Sequence, residues 1–230
     1  MTHVVIIGAG PGGYEAALVA AQLGSQVTVI DRDGPGGSAV LTDCVPSKTL
    51  IATADLLAVT AEAGSLGIRV DGDAPRGTLS VDMSAVNHRV KELATAQSRD
   101  IAARLDRDGV TYIRGRGRLE SPSSVIATTD DGEVPFDADV VLLATGARPR
   151  ILADAQPDGE RILTWDQVYD LDCVPERLIV VGSGVTGAEF ASAYHALGSE
   201  VVLVSSRDRV LPGEDPDAAA VIRRPSRVVA

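Results

Sequence analysis

Apolar residues fall along the chain in short continuous runs, set between alanine-rich stretches whose apolar positions recur every three or four residues. Val4 to Ile7, Asp139 to Leu143 and Leu178 to Val181 are runs of the length and apolarity of buried strands, with partner strands expected over Gln26 to Ile30 and Glu200 to Val204. Tyr14 to Leu23 and Ala188 to Leu197 read as helices, each followed by a glycine suited to a left-handed stop, Gly24 and Gly198. Gly34 to Gly37 reads as a loop, and Pro46 then sits in the first turn of a helix that runs to about Ala63. From Gly64 to Gly77 a polar loop is expected, with one short strand at Ile68 to Val70. A long helix follows from about Val81 to Arg107, its core stripe formed by Val86, Val90, Leu93, Ala94, Ile101 and Leu105, with His88 on the surface. Val110 to Arg114, Gly117 to Glu120, Ser124 to Thr129 and Glu133 to Phe136 are strand candidates, with a hairpin turn over Thr129 to Gly132.

A glycine pattern occupies the same place in two of these strand–helix–strand units. Gly8-Ala9-Gly10-Pro11-Gly12-Gly13 leads to Asp31, and Gly182-Ser183-Gly184-Val185-Thr186-Gly187 leads to Ser205 at the same distance. In such a turn the first glycine permits the tight bend, the second lets backbone approach a pyrophosphate, and the third lets helix pack on strand. The phosphates sit on the helix N-terminus, where unpaired N–H groups and the macrodipole favour negative charge. Two copies imply two dinucleotides. Gly8, Gly10, Pro11, Gly13 and Asp31 form the first set of binding candidates, and Gly182, Gly184, Gly187, Ser205 and Arg207 the second.

Specificity diverges at the end of the second strand. Asp31 offers a carboxylate to both hydroxyls of an adenosine ribose. Ser205 removes that charge, and Ser206, Arg207 and Arg209 follow it, so a 2′-phosphate is not repelled and an arginine can pair with it. The second site is expected to accept NADPH as well as NADH; a solvated surface role for the two arginines is the competing reading.

Composition narrows the class. With 45% apolar residues, 3% aromatic residues and a mean hydropathy of +0.13, the 230-residue chain reads as a soluble globular protein. A net charge of −11 argues against nucleic acid as a partner. No membrane span of roughly 20 apolar residues and no cleavable leader is expected, which points to the cytoplasm. Cys44 and Cys173 are far apart, and His3, His88 and His195 are scattered, so no metal site is expected.

Gly36-Gly37-Ser38-Ala39-Val40-Leu41-Thr42-Asp43-Cys44-Val45-Pro46-Ser47-Lys48 resembles the redox-active segment of the flavoprotein disulfide reductases, a family that includes dihydrolipoyl dehydrogenase and glutathione reductase. The family pattern has two cysteines here. Cys44 matches the second, and Ala39 stands where the first belongs, so the dithiol relay is not available. The resemblance runs closest to a subgroup of NAD(P)H:quinone reductases that lack that first cysteine, and Ala155 to Trp165 also looks like that subgroup.

Such a relationship implies FAD in the first site and NAD(P)H in the second. Hydride would pass from nicotinamide to flavin, and the electrons would leave to a quinone-like acceptor. It further implies that Cys44 borders the flavin ring as a thiolate beside a helix start, that Lys48 lies beside flavin N5, and that Glu189 is the partner of Lys48; these three are the catalytic candidates. Only two of the 21 basic residues are lysines, which makes Lys48 at this place a pointed coincidence. Gly37 and the turn Ala144-Thr145-Gly146 complete the residues expected near the flavin nucleotide. A thiol activity in which Cys44 pairs with a cysteine of another chain, a dihydrolipoyl dehydrogenase-like activity, and an inert nucleotide-binding fragment are the alternatives.

The implied architecture is α/β: a Rossmann-like FAD-binding domain over 1–150, with a parallel sheet and β-meander, a connector over 151–174, and a truncated second Rossmann-like NAD(P)-binding domain over 175–230. The resemblance covers the N-terminal half of the family's chain and is expected to fade from about Ala218, which reads as a fragment. The homodimer expected of the full-length family member would need an interface domain beyond it.

Overall fold

Alternation within the short apolar runs decides which way each side chain faces, and in the first half of the chain both faces find cover. In the computed structural model, described over residues 1–69 and 79–223, β1 (His3–Ile7) and β2 (Gln26–Asp31) lie parallel, with Val4 opposite Val27 and Ile7 opposite Ile30. β3 (Thr111–Arg114) and β7 (Val140–Leu143) extend them to a parallel sheet of order β3-β2-β1-β7. Ile6, Val27 and Val29 turn to one face, where they cluster with Ala17 and Leu18 of α1 (Pro11–Gln22) and Leu105 of α4 (Met83–Arg107). Val5, Ile7 and Ile30 turn to the other face and meet Val125 and Ala127. Those two residues belong to an antiparallel meander of β4 (Arg116–Ser121), β5 (Ser124–Thr129) and β6 (Gly132–Asp137). Strands apolar on both faces need two covering layers; helices supply one and the meander the other.

The expected burial of Asp139 to Leu143 is corrected by position. β7 is an edge strand, and Val140 and Leu143 are about half exposed, at 50% and 59%. The second unit departs further. β8 (Arg177–Val181) and β9 (Glu200–Val204) pair parallel as a sheet of two strands, with α5 (Val185–Leu197) in contact with both. Leu178 to Val181 is therefore not a buried strand: Ile179 and Val181 are 60% and 67% exposed. One helix can cover one face; Phe190, Ala193, Tyr194 and Leu197 are the buried residues of α5, with the Phe190 ring 6.0 Å from that of Tyr169 and the Tyr194 hydroxyl donating to Val168 O.

Between these regions the sequence-based elements shift in detail. Gly37 opens a short helix, α2 (Gly37–Leu41), where a loop is expected, and α3 (Cys44–Glu62) begins at Cys44, so that Pro46 falls in its first turn where no N–H is required. Along α4 the stripe is carried by Val90, Ala94 and Leu105, all buried; Leu93, one residue off that line, is largely exposed, and His88 is exposed as expected. Ile68 and Arg69 are not in a strand, and Val70 lies outside the described residues. An unanticipated helix, α6 (Pro216–Arg223), follows Asp215, whose Oδ1 accepts the N–H groups of Asp217 and Ala218. An acidic cap followed by proline is a start signal that the sequence carried.

Met1–Pro46 with Lys91–Asp166 form one compact unit, and Ser47–Val90 with Gln167–Ala230 form the other, so the chain segments interleave where a linear division at 150 and 174 is expected. Among the described residues, Gly37–Leu66 is long and apolar enough to cross a membrane by length and composition alone. That departs from the expectation that no stretch reaches such a length. The structure breaks it at Thr42–Asp43, between α2 and α3.

Candidate functional site

The first cradle is assembled where three strand ends meet. Gly8 closes β1 at φ +107°, a left-handed backbone that disfavours any side chain, and its N–H donates to Ile30 O at 2.8 Å. A Cβ on Gly8 would lie 2.1 Å from Ala144 O, and one on Gly13 would lie 1.9 Å from Gly8 O, so strand, turn and α1 are pressed together with no room for a methyl group. Gly10 differs: a Cβ there meets nothing within 4 Å. The middle glycine thus faces open space at the N-terminus of α1, whose first residue is Pro11 and whose cap Gly10 offers no side chain. Gly37 backs the same turn, since its Cβ would lie 2.7 Å from Gly10 Cα, and Gly36 N–H donates to Ala9 O at 2.8 Å. Ala144 N–H donates to Ile7 O at 2.8 Å, which places the Ala144-Thr145-Gly146 turn beside Gly8. Sequence reasoning named these glycines and this turn, and the fold brings them together.

Asp31 does more than wait at the strand end. Its Oδ2 accepts the N–H of Ala9 at 2.8 Å, and its Oδ1 accepts those of Asp33 at 2.8 Å and Gly34 at 2.9 Å. The carboxylate therefore ties the glycine turn to the loop that follows β2, while part of its acceptor capacity stays open. Tyr112, which sequence reasoning missed, donates its hydroxyl to Asp31 O at 3.2 Å, and burial pushes its phenol up to about 12.

The second cradle repeats the frame with other contacts. Gly182, at φ +116°, donates its N–H to Val204 O at 2.9 Å, and a Cβ on Gly187 would lie 1.8 Å from Gly182 O. Gly184 again faces open space, but so does Gly182, because no third strand among the described residues runs beside it. At the place of the Ala9–Asp31 bond, Ser183 Oγ lies 2.6 Å from Ser205 Oγ. Arg207 is exposed and its N–H donates to Ser205 Oγ at 3.0 Å. Arg209 turns inward instead, its guanidinium donating to Pro212 O at 3.0 Å and Glu214 O at 3.1 Å.

Lys48 and Glu189, far apart in the chain, are brought together. Lys48 Nζ donates to both carboxylate oxygens of Glu189, at 2.7 and 2.8 Å. Lys48 is on α3 and Glu189 is in the first turns of α5, two residues after the last fingerprint glycine. Cys44 begins α3 and is exposed, and Ala39 lies within α2.

Both cradles fit a dinucleotide by the test that matters: helix N-termini without side-chain caps, a middle glycine bordering open space, and a polar group at the second strand end. The model of pyridine nucleotide-disulphide oxidoreductases matches residues 2–227. The chain belongs to that family. The match runs past Ala218, where the sequence reading expects the likeness to fade. Among similar proteins, an NAD(P)H dehydrogenase (quinone) of Mycobacterium tuberculosis is 54% identical over 232 residues, covering 96% of this chain and 46% of its own. A dihydrolipoyl dehydrogenase of Bacillus subtilis is 33% identical over 220 residues, covering 96% and 47%. The crystal structure of LpdA from Mycobacterium tuberculosis superimposes with a TM-score of 0.88 at 53% identity, covering 97% of this chain and 49% of that one. The chain thus spans about half the length of the curated relatives it matches.

Proposed function

We propose that this chain is the nucleotide-binding part of an FAD-dependent NAD(P)H oxidoreductase that delivers electrons to a quinone or a similar small acceptor without a redox disulfide. In this reading residues 1–150 hold FAD, 151–174 connect, and 175–230 begin the NAD(P)H site. The enzyme works in the cytoplasm as a homodimer, with neither nucleic acid nor a membrane span.

The observation that carries the reading is Ala39, placed where the family's pattern has the first cysteine, with Cys44 retained after it. A dithiol needs two sulfurs within bonding reach, and this segment has one. The relative named NAD(P)H dehydrogenase (quinone), at 54% identity, supports the same direction. Bound FAD would supply the hydride-accepting and electron-releasing chemistry that no side chain here provides.

The chain's own residues bind and orient. Gly10, Pro11 and Gly13 present the start of α1 to a pyrophosphate, Asp31 turns its remaining acceptor capacity to a ribose, and Gly184 and Gly187 do for the second nucleotide what Gly10 and Gly13 do for the first. Glu189 holds the Lys48 ammonium in one place by two bonds, which keeps a fixed positive charge available to developing negative charge. Cys44 occupies the first position of α3, where the family resemblance sets it against the flavin ring.

The test compares acceptors on the purified, FAD-loaded protein. NADPH oxidation with benzoquinone should proceed and should largely survive alkylation of Cys44, whereas lipoamide should support no turnover. Lipoamide reduction that vanishes on alkylation would reverse the reading.

A further inference from the structure

Ser183 is the residue of the second fingerprint that has no counterpart function in the first, where Ala9 contributes only backbone. It is buried, and three points of the segment after β9 converge on it. Ser205 Oγ lies 2.6 Å from its Oγ, Arg209 O lies 3.4 Å from the same atom, and Leu211 N–H donates to Ser183 O at 2.7 Å. Leu211 adopts φ +53°, a left-handed conformation that leucine rarely takes, so the segment bends back onto the glycine turn at a local cost.

The bonds form a connected run. Arg209 O can only accept from Ser183, the Ser205 oxygen accepts the N–H of Arg207, and between the two hydroxyls either oxygen can be the donor. The run Arg207 N–H, Ser205 Oγ, Ser183 Oγ, Arg209 O thus closes a small ring that fixes the backbone on both sides of residue 208. Arg209 spends its guanidinium on Pro212 O and Glu214 O, which shapes the loop rather than its mouth. Arg207 is left as the exposed cation beside the strand end.

We infer that Ser183 is a positioning residue for selectivity at the 2′ position of the second nucleotide: its hydroxyl locks the 205–211 segment, and through it Arg207, in the place where a 2′-phosphate would stand. This rests on the reading of that cradle as an NAD(P)H site. A carboxylate at the strand end orders the loop of the first cradle and repels a phosphate there; the uncharged serine pair orders the second loop without repelling it.

The experiment is a calorimetric titration of the purified FAD-loaded protein with 2′,5′-ADP and, separately, with 5′-ADP. Ser183→Ala should weaken 2′,5′-ADP roughly tenfold, as expected for the loss of a hydrogen bond that orders a charge-bearing loop, with 5′-ADP moved by less than about threefold. Ser183→Thr, which keeps the hydroxyl, should restore the ratio. Ser205→Ala breaks the ring from its other side and should shift the ratio in the same direction, whatever the folding yield of the first variant. Equal weakening of both probes, an unmoved ratio, or a wild-type protein that binds 5′-ADP alone would overturn this inference and leave the oxidoreductase reading standing. A wild-type protein that binds neither probe would overturn both.

Discussion

The two cradles share one frame and differ in what surrounds it, and the difference separates what a glycine fingerprint does from what a sheet does for it. In both, the first glycine is left-handed and donates to the end of the second strand, and the third glycine is pressed against the first. Around the first, β7 brings Ala144 O against Gly8, and the meander covers the far face of the sheet. Around the second, Gly182 borders open space, and Ile179 and Val181 stand exposed on a two-stranded sheet. The fingerprint is therefore a local device. It folds with two strands and a helix, whereas the rigidity of its first glycine is conferred by a third strand.

That contrast can be broken most sharply at the glycines. Gly8→Ala should cost more than about 3 kcal/mol, because the methyl group would overlap a backbone carbonyl at a left-handed position. Gly182→Ala meets no atom and should cost only the conformational strain, about 1–2 kcal/mol. Urea denaturation of the two variants measures the gap; equal losses would mean that β7 contributes nothing to the first cradle. Gly13→Val and Gly187→Val, by contrast, should be similarly damaging, since each β-carbon would strike the carbonyl of its own first glycine.

Next in size is the helix that follows each turn. Glu15 and Glu189 occupy matching places, two residues after the last glycine, yet Glu15 is exposed while Glu189 holds Lys48. If the proposed reaction holds, Lys48→Met should lower its kcat by about 10- to 100-fold while changing stability by less than about 1 kcal/mol, because a half-exposed ion pair contributes little to folding. Glu15→Gln should change neither. Steady-state kinetics alongside thermal melts separates the two.

Smaller differences are expected at the strand ends. Asp31→Ala removes the two oxygens that accept three N–H groups and should cost about 2 kcal/mol, whereas Ser205→Ala removes a hydroxyl link worth about 1 kcal/mol. Urea melts in parallel would rank them, and a larger loss at Ser205 would invert the comparison. The smallest effect is alkaline. Burial pushes Tyr112, beside Asp31, and Tyr194, in α5, up to about 12. A folded phenol that holds its proton above the unfolded value near 10 gives stability that is complete below pH 10 and lost as the pH rises toward 12. Tyr112→Phe should flatten that decline, as measured by denaturation midpoints between pH 9 and about 11.5.

Much of this was legible in the chain. The strand, turn, helix and strand of each fingerprint, the meander with its hairpin at Thr129 to Gly132, and the pairing of Lys48 with Glu189 were readable because each rests on local spacing or on a motif resemblance that survives without coordinates. Other features were not. The exposure of Val140, Leu143, Ile179 and Val181 depends on how many strands stand beside each run, and an apolar run carries no count of its neighbours. Tyr112 and Ser183 looked like ordinary strand and turn residues until the fold set one under Asp31 and the other against Ser205.

By itself, then, the order of residues determined the two glycine turns, the change from Asp31 to Ser205, and the absence of a second sulfur at Ala39, because all three are matters of residue type and spacing. Only the tertiary structure decided which sheet faces are covered, which chain segments group into each of the two units, and that Asp31 and Ser183 order the loops beside them. These depend on contacts between segments distant along the chain, and burial and hydrogen-bond pairing are properties of the partner as much as of the residue.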